Sequence, residues 1–191
     1  MKNILFIAPH LDDETIGCCG TIFRHKEEGD HTHCLLITKV KSNKIWSKNV
    51  VAKKQKELEK IKKIYKFNSF NQFNFKPGEL KKKSLKVLVT KLSIIFKKIK
   101  PEIIYTPFER DIHTDHQIVT KAVLSASKWF RHKTIKELLM YETLSETNFN
   151  YNEDLAFRPN YFVDISKYLK KKLKICNENK TEFKKHPFPR S

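Results

Sequence analysis

No apolar run in the sequence approaches the roughly 20 residues a membrane-spanning helix needs, which excludes an integral membrane span. The apolar start "MKNILFIAPH" stops at Pro9 and is followed by acids rather than a small-residue cleavage site, so it reads as a first strand and not as a signal peptide. The expected location is the cytoplasm. Cysteine is sparse: Cys18, Cys19, Cys34 and Cys176 include no C-x-x-C pair, and two of the four are adjacent. That is a poor start for a disulfide framework; one cysteine could ligate metal, but reduced, buried thiols are the expectation. Repeats, low-complexity stretches and linkers are also missing. The 191 residues are therefore expected to form one domain, 1–191, with enough chain for a real core.

Acidic residues are short in supply. Thirty-nine basic residues against 21 acidic give a formal net charge of +18, which raises the prospect of a nucleic-acid or anionic-surface partner. The lysines are spread over many segments such as "KKQKELEKIKK" and "KYLKKKLK", as on solvated helix faces, and lysine, asparagine, isoleucine and phenylalanine are all abundant, as an AT-rich genome would produce. Nucleic acid is not an expected partner. Peripheral contact with a membrane surface stays open.

Apolar patterning alternates between short strands and amphipathic helices. Strands are expected at 3–8, 32–38, 70–75 and 102–107, with "LLMYET" and "YFVDIS" as further strand candidates. Helices are expected at 13–28, 46–67, 85–99, 116–129 and 165–177. This alternation implies βαβ units and hence an α/β, Rossmann-like three-layer sandwich with a mainly parallel sheet. Ligands in such folds bind outside the carboxyl ends of the strands.

Two dense clusters fall at those ends. "PHLDDE" follows the first strand, and "DIHTDH" follows a strand about a hundred residues later. His10, Asp12 and Asp13 offer one imidazole and two carboxylates; His113, Asp115 and His116 offer two imidazoles and a carboxylate. A catalytic zinc typically takes three nitrogen or oxygen ligands and keeps one position open. His10 and Asp13 are three residues apart, as are His113 and His116, so one helical turn places each pair on one side. Asp12 lies between the first pair and is a candidate base for a water. Taken singly, either aspartate could be a helix N-cap, Asp115 could cap the helix of His116, and Glu14 could be a first-turn acid. The conjunction of two clusters favours a metal site.

These motifs resemble those of the LmbE-like, PIG-L-type zinc-dependent N-acetylglucosaminyl deacetylases. "APHLDDE" is similar to the family's first signature, with Leu11 where proline is usual. "HTDH", preceded by "IIYTP…D", is similar to the second. "YETLSETNF", "RPNYFVDIS" and "HPFPRS" resemble later segments. The resemblance implies that His10, Asp13 and His116 bind zinc (Fe2+ and Co2+ suit the same ligands). It implies that Asp12 is the general base, and that His113, oriented by Asp115, is the charged or proton-donating histidine. The implied substrate is an N-acetylated amino sugar, glycoconjugate or nucleotide-linked. Lys54 stands where the family often has a substrate-contacting arginine. The chain ends earlier than its relatives, which suggests a compact member, a fragment, or a homo-oligomer that completes its pocket between subunits. Two other classes are weighed against this: a metal-dependent amidase acting on a non-sugar acylated amine, and a basic, non-enzymatic binding module whose affinity would fall steeply with salt.

Overall fold

The structure is a computed structural model and describes residues 1–178, Thr181, Phe183, His186, Pro187 and Arg190. Its centre is a five-stranded sheet of β1 (Asn3–Ala8), β2 (His31–Thr38), β3 (Ser69–Phe75), β4 (Ile103–Pro107) and β5 (Glu137–Tyr141). The spatial order is β3-β2-β1-β4-β5 and every pairing is parallel. Helices α1 (Asp13–Glu27), α2 (Lys48–Tyr65), α3 (Leu85–Ile99), α4 (Thr114–Ala126) and α5 (Leu169–Glu178) complete an α/β fold.

Burial on both faces explains why β1 reads as an uninterrupted apolar run. Ile4, Leu5, Phe6, Ile7 and Ala8 are all fully buried, and the two-residue strand period divides them. Leu5 and Ile7 pack with Leu92 and Phe96 of α3 and Val119 and Val123 of α4. Ile4 and Phe6 pack on the other face with Ile22 and Phe23 of α1, Ile61 and Tyr65 of α2 and Ile175 of α5. Helix α1 lies close against its neighbours because of a glycine. A Cβ built on Gly17 would fall 2.2 Å from Tyr141 Cδ2 and 2.9 Å from Glu142 O, so no larger residue fits without displacing β5. All four cysteines are buried and free.

Helix limits follow local chemistry. Helix α2 opens at Lys48 because the Ser47 hydroxyl caps it, accepting from Val50 N at 3.3 Å; it stops at Tyr65 because Lys66 takes a left-handed conformation. Helix α4 opens two residues before the expected start, capped by His113, and stops at Ala126, leaving Trp129 outside it and 76% exposed.

"YFVDIS" departs from expectation. Residues 161–165 form no strand. Tyr161 and Phe162 are exposed, and Asp164 diverts the chain by accepting from Ser166 N at 2.9 Å and Ser166 Oγ at 2.7 Å. Such local side-chain bonds compete with the ladder a strand requires. A short 3-10 turn, Ser166–Tyr168, then leads into α5, which begins at Leu169 rather than at Ile165. Among the described residues no helix is long and apolar enough to cross a membrane.

Strands β1 and β4 are neighbours, paired through Ile4↔Ile103 and Phe6↔Tyr105. The connections from β1 to β2 and from β3 to β4 diverge to opposite faces of the sheet, so the carboxyl ends of β1 and β4 flank the point where strand order reverses. That is where a crevice opens in such sheets, and both His/Asp clusters issue from it.

Candidate metal centre

The turn after β1 is held by Thr38, whose hydroxyl and amide donate to Pro9 O at 2.7 and 3.1 Å. His10 follows, and its own amide donates to Asp13 Oδ2 at 2.8 Å. Asp12 occupies the N-cap position of α1 but makes no side-chain cap bond there. Its backbone sits at φ 123°, ψ −29°, a conformation that costs a non-glycine residue on the order of 1–3 kcal/mol and that concentrates at functional sites. The cap reading for Asp12 is therefore not what its side chain does. Instead its carboxylate receives the guanidinium of Arg190. On the β4 side, His113 caps α4, its Nδ1 accepting from Asp115 N at 3.1 Å, and one turn brings His116 inward, 1% exposed.

The two loops converge. His116 Nε2 lies 3.2 Å from Asp13 Oδ2 and 3.3 Å from His10 Nδ1, and His10 Nδ1 lies 3.3 Å from Asp13 Oδ2. These three atoms form a near-equilateral triangle. For bonds of about 2.0–2.1 Å, adjacent ligands of a tetrahedral zinc stand about 3.3–3.4 Å apart. The opposite edge of each imidazole is fixed by a carboxylate: His10 Nε2 meets Asp115 Oδ2 at 3.1 Å, and His116 Nδ1 meets Asp111 Oδ2 at 2.8 Å. These bonds place a proton on the outer nitrogen of each ring, so that a ring deprotonated at its inner nitrogen presents its lone pair inward, the arrangement that orients histidine ligands. Two ring nitrogens and a carboxylate oxygen then face one another, an arrangement satisfied either by shared protons or by a bound cation. The donor set, its separations and its backing carboxylates all fit a divalent metal.

The electrostatics agree. Burial pulls the His10 pKa down, but hydrogen bonds to Asp115 and Asp13 and the Asp13 charge outweigh it and lift it to about 9. Burial likewise opposes protonation of His116, and the Asp13 charge with the Asp111 and Asp13 hydrogen bonds raises it to about 10. Burial disfavours the Asp13 carboxylate, yet the His116 charge and the imidazole hydrogen bonds hold its pKa well below the usual range. These directions favour protonated imidazoles beside the Asp13 carboxylate in the metal-free site. His113 behaves oppositely: burial first, then the charges of His10 and His116, push it down to about 4. Beneath Asp12, burial raises Glu14 to about 7 against hydrogen bonds from Thr15 and the backbone.

Asp115 differs from the sequence expectation. Its carboxylate hydrogen-bonds elsewhere, to His10 Nε2, Gly78 N at 2.6 Å and Leu80 N at 3.3 Å, and its hydrogen bond to His113 is made by its backbone amide while the carboxylate acts on that ring through its charge. The first turn of α4 aims the side chain across to the β1 loop, and Gly78, at φ 74°, brings the chain after β3 close enough to donate. Two residues that sequence reasoning gave no role complete the site. Asp111, fully buried, also accepts from Thr147 Oγ1 at 2.6 Å. Arg190 belongs to "HPFPRS", of which residues 188, 189 and 191 lie outside the described residues. The five-residue separation of Asp111 and His116 carries no signal of their pairing, which depends on how the loop before α4 folds back.

The convergent atoms open into a cavity of about 230 Å³ whose wall includes Asp12, His113, Trp46, Lys54, Gln72 and Arg190. Lys54 thus lines the expected cavity, its Nζ standing 5.5 Å above the Trp46 ring. A second histidine–acid group, His25, Glu28 and Asp30, lies at the far end of α1. Both nitrogens of His25 are already engaged, by Asp30 at 2.9 Å and the Tyr105 hydroxyl at 3.0 Å.

Solved structures share this architecture. N,N'-diacetylchitobiose deacetylase from Pyrococcus horikoshii superposes with a TM-score of 0.76 at 22% identity, covering 96% of this chain and 71% of that one. A conserved protein from Thermus thermophilus matches with a TM-score of 0.72 at 23% identity, covering 92% and 77%. The 4-carboxy-2-hydroxymuconate hydratase of Pseudomonas putida matches with a TM-score of 0.65 at 17% identity, covering 94% and 79%. At these identities the likeness is one of fold, and it spans enzymes of different reactions. The sequence itself discriminates: residues 5–127 match the family model for PIG-L, GlcNAc-PI de-N-acetylase. That segment contains both His/Asp clusters and the strands that bring them together, and the chain belongs to the PIG-L family.

Proposed function

We propose that the protein is a metal-dependent hydrolase that removes the acetyl group from an N-acetylated amino sugar. The observation that carries the proposal is the triangle of His10 Nδ1, Asp13 Oδ2 and His116 Nε2, three ligand-capable atoms facing one another on the rim of a cavity. These residues would hold the ion, with Asp115 and Asp111 fixing the two rings. A divalent metal supplies Lewis acidity there and lowers the pKa of water towards about 7. Family membership and the deacetylases among the structural neighbours support the reaction class.

The remaining steps fall to the chain's own side chains. Asp12, on the cavity wall and paired with Arg190, takes the proton of the attacking water; such acid–base assistance commonly contributes about 10²–10⁴-fold. His113 accepts at Nδ1 from Asp115 N, so its neutral ring carries the proton on Nε2. Burial, the largest cause lowering its pKa, favours that neutral ring. It acts as a hydrogen-bond donor to the developing oxyanion, an arrangement in which a preorganised donor is worth most. Trp46, Lys54 and Gln72 line the cavity and would meet a sugar bound there. At about 230 Å³ the cavity is smaller than the roughly 300–1,000 Å³ of drug-sized sites, which supports a compact group such as one sugar ring as its occupant.

Acetate release tests this. Zinc-loaded protein is expected to deacetylate N-acetylglucosamine conjugates at least about tenfold faster, in kcat/KM, than non-sugar acetamides of similar size. Equal rates would favour the broader amidase, and no acetate from any substrate would overturn the proposal.

A further inference from the structure

The proposed base is held by a residue 178 positions away in sequence. The Asp12 side chain makes no cap bond to its own helix, and its backbone conformation is strained. Support comes from Arg190, whose Nη1 donates to Asp12 Oδ2, with the Arg190 and Asp12 side chains only 9% and 4% exposed. Arg190 is in turn fixed by the loop after β5. Its Nε donates to Ser145 Oγ at 2.8 Å and to Leu144 O at 3.3 Å, and its Nη2 stands 3.8 Å from Glu146 Oε1. Ser145 adopts φ 72°, a left-handed kink at the point where loop and guanidinium meet. The same loop supplies the Thr147 hydroxyl that holds Asp111 and, through it, His116. One short segment, residues 143–147, thereby anchors both a candidate metal ligand and the candidate base.

We propose that Arg190 is a positioning residue for Asp12: its guanidinium, braced by Ser145 and Glu146, fixes the orientation of the carboxylate that accepts the proton. The inference rests on Asp12 being the base. A planar, permanently charged fork with several donors suits this task better than the flexible point charge of lysine. Small misplacements of a reacting group cost turnover rather than binding; about 1 Å can cost 10²-fold.

The test is steady-state deacetylation by wild type, Arg190→Ala and Arg190→Lys, with metal content and thermal melting measured alongside. Arg190→Ala is expected to lose about 10²-fold in kcat with KM changed less than about threefold and zinc content unchanged. Arg190→Lys should recover part of that loss. Guanidinium chloride at tens of millimolar, against equal sodium chloride, should raise kcat of Arg190→Ala and leave wild type unaffected, which a purely structural role would not produce. Unchanged kcat in Arg190→Ala, a raised KM at unchanged kcat, or a loss that neither lysine nor guanidinium relieves would each overturn the inference. Wild type that releases no acetate would instead overturn the proposed function and leave the Asp12–Arg190 pairing to be judged by the melting difference alone, where equal melting of wild type and both variants contradicts it.

Discussion

Asp12→Asn is expected to bind zinc with wild-type stoichiometry and to lose about 10²–10⁴-fold in kcat. The replacement keeps size and shape but removes the charge that takes up the proton. Metal should be retained because Asp12 is not part of the triangle: its carboxylate faces Arg190, whereas the triangle is made of Asp13, His10 and His116. A moderate loss of stability should accompany the change. Arg190 then keeps a buried charge opposite a neutral amide, and removing one partner of a buried ion pair is costlier than the pair was favourable. Metal content by elemental analysis and turnover by acetate release separate the two roles. Near-wild-type turnover in the variant would remove Asp12 from the mechanism; loss of zinc would move it into the ligand set.

His116→Ala is expected to have the larger effect on metal, with zinc affinity reduced by more than the 10–100-fold that typically follows loss of a residue backing a ligand. One corner of the triangle disappears, and Asp111, fully buried, loses its imidazole partner. Competition titration against a chromogenic chelator measures the effect, and zinc binding at wild-type affinity would contradict it. The same titration has a pH dependence of known sign. His10 and His116 are raised to about 9 and about 10 in the metal-free site. Each must give up its proton before its inner nitrogen can ligate, so affinity should increase with pH from neutrality towards about 9, with protons released on binding. Affinity independent of pH over that range would show that the imidazoles are already neutral.

How far the sequence reveals this site depends on how local each relationship is. The β1 and β4 ends are legible because each carries several ligand-capable residues within one turn of a helix, and because strand–helix alternation brings such ends to one rim. His10, Asp13 and His116 are brought together as that logic requires. Asp115 shows where neighbourhood in sequence misleads. In "HTDH" it lies beside His113, but α4 turns its side chain towards His10. Asp111 pairs with His116 only because the loop before α4 folds back, a geometry that spacing does not encode. Arg190 meets Asp12 across nearly the whole chain. "YFVDIS" has the alternation of a strand, yet Asp164 satisfies Ser166 locally and the segment forms no strand. Patterns report periodicity and local chemistry; they do not report which of two competing hydrogen-bond partners prevails.

The central claim concerns three atoms and one cation, and anomalous diffraction at the zinc edge from zinc-loaded crystals tests it most directly. The account predicts one strong peak about 2.0–2.2 Å from each of His10 Nδ1, Asp13 Oδ2 and His116 Nε2. A peak at His25, Glu28 and Asp30 instead, or none at the triangle with zinc in excess, would contradict it.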